Sequence, residues 1–168
     1  MNKIVLIGCP GAGKTTLARK LGAKLNIPVH HLDKYFWKEN WTPTPQAEFR
    51  KIQDELMKED RWIVDGNFTK SIDNRVTKAD TVVFFDFPKT TLVWRYLKRF
   101  VQDFNKVRPD MGGDNKASFN PTIIWNHITF VLKFPRNEVY TTLKEHAQDK
   151  NVVILRNTKE VATFLDNA

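Results

Sequence analysis

The sequence predicts an α/β fold, an open parallel sheet with helices on both faces, and three observations carry that expectation. Short runs of β-branched and aromatic residues alternate along the chain with longer stretches of helical periodicity. The first run, Lys3-Ile4-Val5-Leu6-Ile7, leads into Gly8-Cys9-Pro10-Gly11-Ala12-Gly13-Lys14-Thr15, which fits the phosphate-binding pattern G-x-x-x-x-G-K-[ST]. Three further strand candidates run into Asp33, Asp65 and Asp86. In a parallel sheet wound with right-handed crossovers, residues that follow strands collect along the carboxyl edge, where ligands bind.

The elements follow in order. After Lys14, Leu17, Leu21 and Leu25 recur every fourth residue beside Ala18 and Gly22, which is one apolar helical stripe. Pro28 to Asp33 reads as a short strand running into a loop crowded with Tyr35, Phe36, Trp37 and Trp41. Thr44 is expected to cap a helix that starts at Pro45 and carries Phe49, Ile52, Leu56 and Met57 to about Asp60. Arg61 to Asp65 is a strand, followed by a helical or irregular piece with Phe68, Ile72 and Val76. Thr81 to Asp86 is the clearest strand of all. Pro88 opens a helix from about Lys89 to Phe104, with Val93, Leu97, Phe100, Val101 and Phe104 as its expected buried stripe. Arg95, Lys98, Arg99 and Gln102 fall on its other side. Residues 105–119 hold Pro109, Gly112 and Gly113 and read as a loop. A helix from Asn120-Pro121 carries Ile124, Trp125, Ile128, Val131 and Leu132; Pro135 ends or kinks it, and helix resumes to about Ala147. Val152 to Leu155 is the last strand, and Asn157 with Glu160 fits a capping box for the last helix.

Composition narrows the classes. The chain of 168 residues suits one domain, 1–168, with a lid or basic region over about 95–136. No apolar run approaches the ~20 residues of a membrane span. Lone Cys9 excludes an internal disulfide and a cysteine metal cluster. The expected location is the cytoplasm, with no membrane partner. The net charge of +8 is unevenly placed: residues 89–136 carry 9 Lys/Arg against 3 Asp/Glu. Nucleic acid is one partner for such a segment. With a phosphate-binding loop already present, a lid that meets substrate phosphates is the preferred reading.

The loop dictates its own chemistry. Gly8, Gly11, Ala12 and Gly13 turn backbone N–H groups toward phosphate oxygens, and the glycines are expected to let the anion approach closely. The helix that begins near Lys14 points its positive end at the same anion. Lys14 is placed to reach the β- and γ-phosphates, the Thr15 hydroxyl is suited to Mg²⁺, and Thr16 is the partner of the α-phosphate. The expected ligands are a nucleoside triphosphate and Mg²⁺. His30 and His31 point to opposite faces of a strand and so do not join in one metal site. Trp125 and His127 are expected in the core and on a helix surface.

The loop sequence G-C-P-G-A-G-K-T-T resembles the G-x-P-G-x-G-K-x-T of the adenylate-kinase-like P-loop kinases. Further stretches are similar to the DNA topology modulation (FlaR-like) proteins of that group. They are His30-His31-Leu32-Asp33 with Phe36-Trp37 and Trp41, Trp62-Ile63-Val64-Asp65-Gly66-Asn67, Ala79-Asp80, Trp94-Arg95 with Lys98-Arg99, and Arg108-Pro109-Asp110-Met111. The resemblance implies a P-loop NTPase fold in three α/β/α layers, with a five-stranded parallel sheet in order 2-3-1-4-5 and a helical lid.

It also implies roles. Asp65 matches the D-G of the adenylate kinase L-D-G-F-P-R motif and would hold Mg²⁺ with Thr15; Asp86 competes for that role. Arg95 and Arg99 lie where lid arginines neutralise the transferring phosphoryl group, with Arg108 as a third. Arg156 lies near where adenine packs. The arginines that grip a nucleoside monophosphate are missing: Asp65-Gly66 is followed by Asn67-Phe68-Thr69, and Asp33 with aromatics follows the second strand. An Asp there is similar to nucleoside kinases and shikimate-kinase-like enzymes, so Asp33 is the candidate for acceptor binding and base, with AMP disfavoured. The aromatics read equally as an acceptor wall or a hydrophobic flap, and Arg75 as a contact to an acceptor phosphate. The implied activity is an ATP- and Mg-dependent phosphotransferase with Lys14, Asp33, Arg95 and Arg99 as its catalytic residues, acting on a small molecule. The alternative is an ATP-binding, DNA-associated regulator.

Overall fold

Strand β1 (Lys3–Gly8) occupies the centre of the sheet, and its residues Ile4 to Ile7 are fully buried. A strand covered on both faces needs an unbroken apolar run, which is what these residues supply. The computed structural model describes residues 1–104, 106, 110, 112, 113 and 121–168. Within them β1 is followed by α1 (Lys14–Leu25), β2 (Val29–His31), α2 (Leu32–Phe36), α3 (Gln46–Leu56), β3 (Trp62–Asp65) and α4 (Ile72–Lys78). Then come β4 (Thr81–Phe85), α5 (Lys89–Asp103), α6 (Pro121–Leu132), α7 (Arg136–His146), β5 (Asn151–Leu155) and α8 (Thr158–Asp166). The sheet runs β2-β3-β1-β4-β5 and every pairing is parallel, the order that the resemblance implied.

This order fixes the layers. The connection through α1 carries the chain from β1 past β3 to β2, one way along the sheet. The connections through α3, α4 and α5–α7 carry it the other way. Right-handed crossovers in opposite directions lie on opposite faces. α1 packs on α8, and α4 packs on α7. Register then decides which side chains meet: Leu6 lies beside Asp65, Asp65 beside His31, and Gly8 beside Phe85.

Several local expectations are corrected. β2 stops at His31, and Leu32 with Asp33 opens α2 instead of finishing the strand. The β2–β3 ladder ends where His31 meets Asp65, so the chain beyond has no strand to pair with. It turns into a helix that buries Leu32. Thr44 does not cap α3: its hydroxyl donates to the Tyr35 carbonyl at 2.8 Å and ties the α3 entrance to α2. The capping box at α8 does form, with Asn157 Oδ1 accepting from Glu160 N–H at 3.0 Å. Glu160 reaches one residue further back than the motif requires, accepting from Arg156 N–H at 2.6 Å.

The stripe expected on α5 is the largest correction. Leu92 and Tyr96 are the buried residues of this helix, while Val101 is 75% exposed and Trp94 68% exposed. Only the first turns of α5 lie against the glycine loop. A Cβ on Gly11 would meet the Leu92 carbonyl at 2.9 Å and the Tyr96 amide nitrogen at 3.4 Å. Trp125, expected in the core, is 67% exposed on α6. The aromatics after β2 divide. Phe36 joins Phe49 and Phe68 in a three-ring cluster with centroids 4.7–5.0 Å apart, so it belongs to the core. Trp37 packs edge-on to Trp41 outside it.

Arg75 is not a surface cation. It is 0% exposed, and its guanidinium donates to the carbonyls of Gly66 at 2.7 Å, Phe68 at 2.7 Å and Ser71 at 3.3 Å. Burial pulls its pKa down to about 10, against the fields of Asp73 and Asp65. Its work is to pin the loop after β3. Arg75→Met leaves three carbonyls without their donor. It is expected to destabilise the protein by about 3 kcal/mol, roughly one for each lost bond, read as a lower urea midpoint at an unchanged m-value.

Candidate active site

The glycine loop joins β1 to α1 with Gly11 at φ 84° and Gly13 at φ 97°, left-handed conformations that side chains resist. Packing within the protein adds a separate reason at two of the glycines. Gly8 and Gly11 are crowded by protein, Phe85 and Leu92, whereas a Cβ on Gly13 would meet nothing within 4 Å. Gly13 is therefore required for its backbone turn, which starts α1 and leaves its N–H groups open. Thr16 lies exposed at the start of α1. Lys14 Nζ donates back to the Cys9 carbonyl at 3.1 Å.

Asp65, at the end of β3, lies beside this loop and is buried. Its Oδ2 accepts from the Thr15 hydroxyl at 2.8 Å, and its Oδ1 meets His31 Nδ1 at 2.6 Å. The structure thus brings the two expected metal residues together and adds His31. Strand register alone puts His31 next to Asp65. The sequence held that signal: with β2 beside β3, aligning the two strand ends sets these residues side by side. The other histidine of the pair, His30, faces Glu59 at 3.6 Å instead.

Asp86 stands apart. Its carboxylate pairs with Arg136 at 2.5 Å and accepts from the Tyr140 hydroxyl at 2.8 Å. The pair holds the Arg136 guanidinium above its ordinary pKa. Among the described residues, no three His, Cys, Asp or Glu side chains are arranged to hold a metal by themselves. Thr15 and Asp65 fit an ion that keeps water and phosphate oxygens as its other ligands, the usual habit of Mg²⁺.

Charge converges on Lys14. Burial lowers its pKa, while Asp65 and Asp33 push it back up and Arg99 pushes it down. Asp33 in α2 and Arg99 in α5 therefore share one field with the loop lysine. Arg95 is held elsewhere. It donates to the Thr158 hydroxyl at 2.7 Å and to the Ala12 carbonyl at 3.5 Å, and it lies 4.8 Å over the Phe87 ring. Arg156, at the end of β5, is exposed. His127 stacks on Tyr96 at 5.4 Å.

Part of the segment after α5 reaches α1 and α2. Asp110 pairs with Arg19 of α1 at 3.9 Å. A Cβ on Gly112 would collide with the backbone of Lys34 and Trp37, and one on Gly113 with that of Lys38. Gly112 and Gly113 thus lie against α2 and the residues just after it. Arg108 lies outside the described residues, as does most of 105–119.

Comparison with known proteins agrees with the fold. A family model described as "AAA domain" matches residues 4–151. The chain belongs to the AAA domain family. An adenylate kinase of Clostridium botulinum (strain Eklund 17B / Type B) is 26% identical to this AAA domain over 151 residues, covering 73% of this chain and 67% of that protein. A shikimate kinase structure from Bacteroides thetaiotaomicron superposes with TM-score 0.55 at 17% identity, covering 98% of this chain and 94% of the other. One from Acinetobacter baumannii, in complex with shikimate, gives TM-score 0.59 at 14% identity, covering 99% and 90%. These likenesses support the α/β P-loop fold and a P-loop kinase-like group. Among the described residues, no helix of this AAA domain is long and apolar enough to cross a membrane.

Two outcomes follow from the site. His31 and Asp65 form a buried bonded pair, so a double-mutant cycle with His31→Ala and Asp65→Ala, read by urea unfolding, is expected to give a coupling of about 1–2 kcal/mol. Cys9 is buried, and burial raises its thiol pKa to about 11. The protonated thiol is favoured in the fold. Its contribution to stability is therefore full below about pH 9 and fades as pH climbs through about 11. Native protein at about pH 8.5 is expected to react with a disulfide reagent only after denaturant is added.

Proposed function

We propose that this protein is an ATP- and Mg-dependent phosphotransferase acting on a small-molecule acceptor other than AMP. The carrying observation is the 2.8 Å bond from the Thr15 hydroxyl to the buried Asp65 carboxylate, which seats a metal candidate against the phosphate loop. Lys14 of that loop also feels the charges of Asp33 and Arg99, the acceptor and lid candidates. The adenylate kinase relative and the kinase fold support the same class.

In this reading the loop N–H groups and Lys14 hold the β- and γ-phosphates. Thr15 and Asp65 would hold Mg²⁺, which when bound supplies positive charge at those phosphate oxygens. His31 keeps the Asp65 carboxylate turned toward Thr15. Asp33 accepts the proton of the acceptor hydroxyl. The acceptor oxygen bonds to the γ-phosphorus as the bond to the β,γ-bridging oxygen breaks, and ADP leaves with that electron pair. Arg99 takes up charge on the moving phosphoryl group. Arg95, seated on Phe87 and Thr158 beside the loop, supports the nucleotide side. Positioning and electrostatics supply most of the catalysis in such reactions.

Three cations of the basic segment are engaged within the fold and offer less to a nucleic-acid surface. Arg136 is taken by Asp86, Arg95 by Thr158 and the loop backbone, and Lys89 by the Leu132 carbonyl at 2.5 Å. The DNA-associated reading predicts duplex affinity that falls steeply between about 50 and 200 mM salt.

A coupled ADP-release assay with Mg-ATP and pooled hydroxylated metabolites and nucleosides tests the proposal. Release is expected to require an acceptor. Lys14→Ala and Asp33→Asn should each lower it by at least about a hundredfold. Acceptor-independent release that Asp33→Asn leaves intact would point instead to an ATPase switch.

A further inference from the structure

The loop after β3 holds a polar side chain that the fold itself leaves unanswered. Asn67 follows Asp65-Gly66, and neither its Oδ1 nor its Nδ2 meets a hydrogen-bond partner among the described residues, although both atoms are buried. An unpaired buried amide is costly, because each polar atom has given up water for nothing in return. Its neighbours are fixed. Gly66 packs against Leu32, whose own neighbour is Asp33, and Phe68 packs on Phe36 of α2. Asn67 therefore lies between the carboxylate bonded to Thr15 and the helix that carries Asp33. Trp62 Nε1 is also unpaired, but it belongs to the start of β3, at the other end of the sheet.

The charges of this region point the same way. Arg75, the cation of the loop's own helix, is sealed inside and occupied by three carbonyls. Lys38 pairs with Glu48 and Arg50 with Asp73, while Lys34 and Lys70 are exposed. Asp33 and Asp65 both add negative charge. A phosphomonoester here would meet two carboxylates, while the buried cation of α4, Arg75, is already held by carbonyls and Lys14 and Arg99 are assigned in the proposed reading to the transferred phosphoryl group. A neutral amide that donates and accepts at once suits neighbouring hydroxyls.

We propose that Asn67 reads the acceptor, and that the acceptor is an uncharged molecule with adjacent hydroxyl groups, one directed to Asp33 and its neighbour to Asn67. This assignment rests on the phosphotransferase reading for its chemistry and can be tested apart from it.

The experiment is calorimetric titration of the full chain with Mg²⁺ and a non-hydrolysable ATP analogue. Adenosine, uridine and ribose are each tested beside AMP, UMP and ribose 5-phosphate. Binding of a neutral member over its own monoester is expected. Asn67→Ala and Asn67→Asp should weaken that binding about tenfold to a hundredfold and leave affinity for the ATP analogue unchanged. Melting temperature is the second readout. Removing an unpaired buried amide should leave Asn67→Ala as stable as wild type or more so, whereas a structural amide would lower it. Preference for a monoester, no neutral ligand, unchanged binding in both variants, or a clear loss of stability in Asn67→Ala overturns the assignment. Neutral binding without ADP release on true ATP would defeat the phosphotransferase reading and leave Asn67's role standing. Phosphorylation of a monoester would do the reverse.

Discussion

A carboxylate kept from water persists only where its oxygens are bonded, and Asp65 meets that condition by joining two elements. One oxygen accepts from Thr15 at the start of α1; the other meets His31 at the end of β2. The three residues come from three neighbouring segments whose order is fixed by the ladder β2-β3-β1. A shift of one residue in either pairing would turn the carboxylate or the imidazole to the opposite face of the sheet. Site geometry and sheet register are thus one constraint here. The loop's place beside Asp65 depends on the buried run of β1 as much as on its glycines.

The same economy governs the loop after β3. Arg75 donates from each of its three nitrogens to carbonyls inside the protein, and the Phe36, Phe49 and Phe68 rings close over the same stretch. The outcome is a closely packed loop between β3 and α4 whose own cation is turned inward. Beside the glycine loop, Arg95 and Arg99 come from a single helix turn yet meet different partners, one the start of α8 and the other the field of Lys14. One helix thereby reaches both flanks of the phosphate loop.

What could be read from the chain depended on how local the signal was. The glycine loop, the Leu17–Leu21–Leu25 stripe and the Asn157–Glu160 cap are written in residues a few positions apart, and all three form. Strand order needed the resemblance, since periodicity says nothing about neighbours. The α5 stripe failed for an informative reason. Residues 97, 101 and 104 do share a face, but the helix runs past the edge of the glycine loop, and amphipathicity cannot say how far a partner extends. Thr44 failed because a hydroxyl has several possible acceptors, and the Tyr35 carbonyl, nine residues back, took it. Arg75 and His31 were beyond local reading altogether, since their partners are set by burial and register.

The single cysteine of the sequence lies within the phosphate loop, closed off by its own packing. The protein surface therefore carries no native thiol. A cysteine placed on the outer face of α2 or the far end of α5 would be the one accessible thiol in this sequence. A dye or spin label could then be attached at a chosen point with ordinary maleimide chemistry, without first removing a residue from the loop that shapes the site. Distances between such probes could be followed with the loop sequence unaltered.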